Sequence, residues 1–211
     1  MSSALGSSNG IASKTRRALR GALWVLLAIV IGYIGLVIYR IPAAHQERIS
    51  QDAVAKIQAQ KLTMDDVDGR HLPPPPDPAQ ADATIAGIDA NQNGIRDDVE
   101  LAIFAKYPTS TAVRAAELQY AMELQMMLTQ VSDSGTWTVA AFEQDRGYQC
   151  IGQTYPRTDI DAYNQVTDAR VKEVEGLVFN NSPREEAKNK AYNFETSFEL
   201  PNTDFCDLIL Q

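Results

Sequence analysis

Residues 113–131 read VRAAELQYAMELQMMLTQV, and this run decides the fold class. Val113, Ala116, Tyr120, Leu124, Met127, Leu128 and Val131 recur every three or four residues, which lines one face of an α-helix. The methionines at 122, 126 and 127 suit core packing. Toward the C-terminus, Ser132 to Gly135 closes this helix, and a second is expected over Thr136 to Cys150 with Trp137, Ala140, Ala141 and Tyr148 inside. Pro156 and Thr158 introduce another, with Ile160, Tyr163, Val166, Val174, Leu177 and Val178 facing inward. A last helix should start at Ser182 as N-cap, with Pro183 at the first helical position and Glu185 completing a capping box, and run to about Ser197. Toward the N-terminus, Val99, Ile103, Phe104 and Tyr107 mark a helix stopped by Pro108. No run alternates apolar and polar residues between hairpin turns as a half-buried strand would. The fold class expected is therefore all-α, a small helical bundle over residues 80–211.

The bundle is preceded by Asp89-Ala90-Asn91-Gln92-Asn93-Gly94-Ile95-Arg96-Asp97-Asp98-Val99-Glu100. Calcium takes six to eight hard oxygen ligands, and a 12-residue loop supplies them from positions 1, 3, 5, 7, 9 and 12. Those positions hold Asp89, Asn91, Asn93, the carbonyl of Ile95, Asp97 and Glu100, and the sharp turn at position 6 holds Gly94. At average residue usage the full set arises at a given start on the order of once in several hundred thousand. A plain helix start with an Asn-Gly turn accounts for the last six positions and leaves Asp89 and Asn91 idle. The loop resembles the EF-hand-like single calcium loops of dockerins and thrombospondin type 3 repeats. That resemblance covers about a dozen residues and implies Ca2+ binding, without cellulosome assembly or matrix adhesion. Two features depart from a calcium sensor. Arg96 stands at position 8, where an EF-hand proper carries an apolar residue, and Pro73 to Pro78 with Gly87 leave no room for an entering helix. With one loop only, the ion is expected to clip structure at steady occupancy, binding at about 10⁻⁴ to 10⁻³ M as extracellular modules do.

Upstream of the loop lie Pro73 to Pro76 and Pro78, read as an extended spacer, and a Gln-, Ala- and Lys-rich stretch with Ile49, Ala53 and Ile57 spaced by four, read as a helical stalk. Stalk and spacer together are expected over residues 41–79, with Pro42 interrupting the helix before them. Gly21 to Tyr39 carries no charge, and the 18 residues from Ala22 to Tyr39 nearly span a hydrocarbon core of ~30 Å. A transmembrane helix is expected over 21–40. A cleaved signal peptide would have a shorter apolar core and a small-x-small exit, whereas this one leaves through Tyr39-Arg40-Ile41-Pro42. Lys14, Arg16, Arg17 and Arg20 precede it, which keeps the tail of residues 1–20 cytoplasmic and places the remainder outside, in a periplasm-like compartment across an inner membrane. Ala28 and Gly32 permit close pairing with a second copy, so a homodimer is allowed. Basic residues, Gly21, an apolar helix and a late cysteine pair also resemble a type IV pilin or pseudopilin, cleaved after such a glycine. That resemblance stops at Leu26, where pilins carry Glu, and at the expected absence of a pilin sheet.

Beyond residue 40 lie 14 of the 19 basic residues and all 27 acidic ones, a balance that repels nucleic acid and attracts cations. Cys150 and Cys206 are an even pair, expected to form a disulfide in an oxidising compartment. The two histidines, His45 and His71, fall in the stalk and spacer, and no nucleophile elbow, phosphate loop or zincin motif occurs. The expectation is a binding protein and not an enzyme, with a protein partner in an envelope complex. A carboxylate site built on Glu117 and Asp145 is the catalytic alternative.

Overall fold

A computed structural model describes residues 8–198 and 204–209. Among them every regular element is helical, and no strand occurs. The chain divides into two compact units between Ile49 and Ser50.

The first unit is residues 8–49 of α1 (Ser8–Ala59). Leu23, Trp24, Leu26, Ile29, Ile31, Leu36 and Ile38 are all exposed along it. Its most apolar 18-residue window has a mean hydropathy of 2.6, and the helix is long and apolar enough to cross a membrane. A helix apolar on every side and packed on nothing matches hydrocarbon as its solvent. Pro42 does not interrupt α1 as expected; it lies inside it. A proline removes one backbone hydrogen bond at a cost of about 3 kcal/mol, and helix-favouring neighbours on both sides carry the helix through.

The second unit begins with residues 50–59 of α1. It continues through α2 (Met64–Val67), α3 (Pro78–Ala81), α4 (Asp97–Lys106), α5 (Thr111–Gln130), α6 (Ser134–Gln153), α7 (Ile160–Val178) and α8 (Ser182–Tyr192). α5 is the axis, packed by α2, α4, α6, α7 and α8. It is buried without a break from Arg114 to Met127, so its polar side chains are interior as well as its apolar ones. Leu118, Met122 and Leu124 of α5 join Val99, Ile103, Ile151, Val174 and Val178 in one core. Cys150 and Cys206 are bonded to each other.

The bundle follows the expected helices with local corrections. Tyr148 and Ile160 are exposed, at 36% and 58%. The inner side of α6 runs instead through Arg146, Gly147, Cys150 and Ile151, because Gly147 lets the helix approach the backbone of Tyr120. Ile160 sits in the first turn of α7, short of its buried face. The N-cap of α8 is Asn181, whose side chain accepts the Arg184 N–H at 3.1 Å, and the helix stops at Tyr192, short of the expected Ser197.

The domain boundary is the larger correction. The segment expected as stalk and spacer over 41–79 contributes Ile57, Leu62 and Val67 to the core, at 0%, 4% and 0% exposure. Irregular backbone can lie against a protein only if its carbonyls find donors, and here buried side chains supply them. Arg114 donates to the carbonyl of Val67 at 2.9 Å and Gln125 to that of Ala86 at 2.9 Å. Arg184 donates to the carbonyls of Ala81, Thr84 and Ile85. Residues 60–87 are thus a belt packed on the bundle.

Candidate metal centre

Asp89 organises the loop that joins this belt to α4. One carboxylate oxygen accepts the Asn93 N–H at 3.1 Å and the other the Gly94 N–H at 2.9 Å. The Asn93 Oδ1 accepts the Ile95 N–H at 2.9 Å, and the Asp97 Oδ1 accepts the Ala90 N–H at 2.9 Å. The Asp97 N–H closes the loop on the Ile88 carbonyl at 2.9 Å. These bonds turn the chain through positive φ at Gln92 (60°) and Gly94 (86°). At Gly94 a side chain would also overlap Gln60, whose Nε2 donates to the Asn93 carbonyl at 3.1 Å. Only glycine meets both demands.

α4 then projects two carboxylates back at the loop. Asp97 and Glu100 lie in its first turn and are each 1% exposed. Asn91 Nδ2 donates to the two oxygens of Glu100 at 3.4 and 3.1 Å. Burial pushes the Glu100 carboxyl up to about 7 despite its bonds from Asn91, with Asp66 and Asp97 adding repulsion. Burial also raises Asp97, helped by Asp89 and Asp98. Among the described residues no ion pair reaches Asp89, Asp97 or Glu100. The adjacent Arg96 turns away, donating to Asp98 at 2.7 Å and to the carbonyls of Leu177 and Val178 at 3.0 and 2.9 Å. Asp97 and Glu100 are therefore buried carboxyls that no Lys, Arg or His among the described residues pairs with.

The donor set was tested against Ca2+ on the atoms left without partners. Asp97 Oδ2 and Asn93 Nδ2 are buried and make no hydrogen bond. An unpartnered carboxylate oxygen at loop position 9 is where an ion or its water belongs. Asn91 presents its nitrogen to Glu100, and rotation about the broad terminal torsion of an amide exchanges it for the oxygen a cation requires. Among the described residues no three His, Cys, Asp or Glu side chains converge as a metal cluster. The set here takes half its members from two amides and the Ile95 carbonyl, and hard oxygen donors of that kind suit Ca2+ and not zinc. A cavity of about 790 Å³ opens beside Asp89, Asn91 and Asn93 and admits solvent to them.

Two participants were not foreseen from the sequence. Gln60 lies 33 residues from its partner and carried no local signal. Arg96 was visible only as a departure at position 8. Of the two acids considered for catalysis, Glu117 is held by Arg170 at 2.6 Å, while Asp145 is raised by burial alone and takes no part in that pair. Comparison with family models, curated proteins and solved structures finds no match to this chain.

Proposed function

We propose that this is a single-pass membrane protein whose second unit lies outside the cytoplasm and binds one Ca2+ through Asp89, Asn91, Asn93, the Ile95 carbonyl, Asp97 and Glu100. The observation that carries the reading is the buried, uncompensated acidity of this loop: Asp97 and Glu100 are buried, and the Asp97 Oδ2 has no donor. Folding a chain around such a group is costly unless a cation arrives. The ion is a structural clip. It fastens the belt, through Asp89 and Asn91, to the first turn of α4, and a single loop has no second loop to work against as a sensor.

The outward orientation rests on Lys14, Arg16, Arg17 and Arg20 ahead of the membrane helix. An oxidised Cys150–Cys206 pair fits an oxidising, periplasm-like compartment. The role that suits a small, calcium-clipped, membrane-held bundle is protein interaction within an envelope complex. Thermal melts of the full-length protein in detergent, with calcium and with EDTA, test the reading. Calcium should raise the melting temperature of the wild type, and Asp89→Ala or Glu100→Ala should abolish the rise. A wild-type melt indifferent to EDTA sinks it.

A further inference from the structure

The segment Asp204 to Leu208 has no regular structure, yet the Asp204 and Phe205 carbonyls, the Asp207 N–H and the Asp207 carboxylate are all bonded to the rest of the second unit. Gln119 pairs with its backbone twice, donating to the Phe205 carbonyl at 2.9 Å and accepting the Asp207 N–H at 2.8 Å. Arg146 donates to the Asp204 carbonyl at 3.0 Å and to the Asp207 carboxylate at 2.9 Å. The other Asp207 oxygen accepts the Leu62 N–H at 3.0 Å, and Lys61 lies 3.8 Å from the oxygen that Arg146 holds. The Asp207 side chain is 2% exposed. Two of these anchors come from α5 and α6 and two from the belt.

This is how a receptor reads an extended peptide: main-chain groups are paired as a neighbouring strand would pair them, and one side chain enters a charged pocket. The contacts to Asp204 and Phe205 reach backbone only, so Asp207 is the one residue recognised by a polar side-chain contact in the cleft. We propose that the cleft between Lys61, Leu62, Gln119 and Arg146 is a binding site for an extended, carboxylate-bearing peptide of a partner protein. In the oxidised protein the chain's own strap fills it, and the Cys150–Cys206 bond is the latch.

The latch is placed to be worked. A cavity of about 330 Å³ reaches both cysteines, and Cys206 is partly buried while Cys150 is buried at 2%. A dithiol oxidoreductase is the matching reductant. Its thiolate attacks Cys206 Sγ and the Cys150 thiolate leaves. Its second thiol then resolves the mixed disulfide and frees Cys206. Two electrons and two protons pass from the dithiol to the pair. While the bond stands, the strap cannot be displaced. Once it is cut, the strap becomes a tethered ligand at an effective concentration in the mM range, which a multivalent or locally concentrated partner can outcompete.

The test uses full-length protein in detergent and a fluorescein-labelled hexapeptide of residues 204–209 carrying Cys206→Ser. The double variant Cys206→Ser/Asp207→Ala, in which the resident strap is weakened, should bind the peptide saturably. Oxidised wild type should bind at least tenfold more weakly, and Asp207→Ala within the peptide should cost tenfold or more. Native-state alkylation supplies the second measurement: after dithiothreitol both thiols should label while helical circular dichroism is retained. Absence of saturable binding to a helical double variant overturns the binding site, as does equal binding by the oxidised wild type. A disulfide that yields only on global unfolding overturns the latch.

Discussion

At the scale of single residues, the charges that matter most are those a sequence reader assigns to the surface. Arg96, Arg114 and Arg184 are at most 5% exposed, and each donates to the backbone carbonyl of the last residue of a helix, Val178, Val67 and Ala81 in turn. The Arg96 guanidinium ties the loop to the last turn of α7. Glu123 is the acidic counterpart. It is buried on α5 and accepts one bond from Gln119 at 3.0 Å, while its Oε2 has no donor. Burial holds its carboxyl well above the usual range, Asp207 and Glu143 push the same way, and Arg146 opposes them. The fold therefore keeps Glu123 protonated while the unfolded chain ionises it at an ordinary pKa of about 4.3. Stability from the neutral form is complete below that value and declines as pH rises toward the folded pKa, by up to about 1.4 kcal/mol per pH unit. Glu123→Gln should leave stability near pH 4 little changed and raise it at pH 7 to 8. Denaturant midpoints across that range would show it, and parallel pH profiles for variant and wild type would contradict the assignment.

At the scale of elements, the helices were legible because their signals are local. The three- and four-residue spacing that marked α5 is a property of a few turns, and so is the stop of α4 ahead of Pro108. Helix starts were read less well wherever several candidates lie side by side. Asn181 and Ser182 are both good N-caps, and only the bond from the Arg184 N–H shows which one is used. At α6 the cap is Asp133, which accepts the Thr136 N–H at 2.8 Å, while the Thr136 hydroxyl accepts the Asp133 N–H at 3.0 Å. Such a reciprocal pair satisfies two donors that the first turn cannot. Asp133→Ala should cost about 1 kcal/mol, a fall in melting temperature of about 2–4 °C, and Asp133→Asn should recover most of it. If alanine and asparagine are equally harmful in thermal melts, the carboxylate acts by its charge and not as a cap.

At the scale of the molecule, the loop from Asp89 to Glu100 was readable as a unit because the residues that bond within it lie within twelve positions, whereas the belt was not because its partners lie far away. Val67 meets Arg114 at a separation of 47 residues, and Ala81 meets Arg184 at 103. Composition in the belt speaks for proline-rich extension, and extension is compatible with lying against a bundle as well as with spanning space. The same distance hid the strap, since Leu62 and Asp207 are 145 residues apart. The consequence is a definite domain boundary. Ile57, Leu62 and Val67 are each worth about 1.5–3 kcal/mol on burial, roughly 5–9 kcal/mol together, against a whole-domain stability of about 5–15 kcal/mol. A fragment of residues 50–211 should therefore fold cooperatively without the long apolar helix that precedes it. A fragment of 80–211, which keeps the entire Asp89–Glu100 loop and all helices from α4 onward, should be largely unfolded or molten, because it loses these side chains and the Leu62 anchor of the strap. Differential scanning calorimetry of both fragments with the disulfide intact decides the matter. A sharp transition for 80–211 at the temperature of 50–211 would mean that the belt decorates the bundle; its absence would mean that the core is closed by residues lying next to the long apolar helix in sequence.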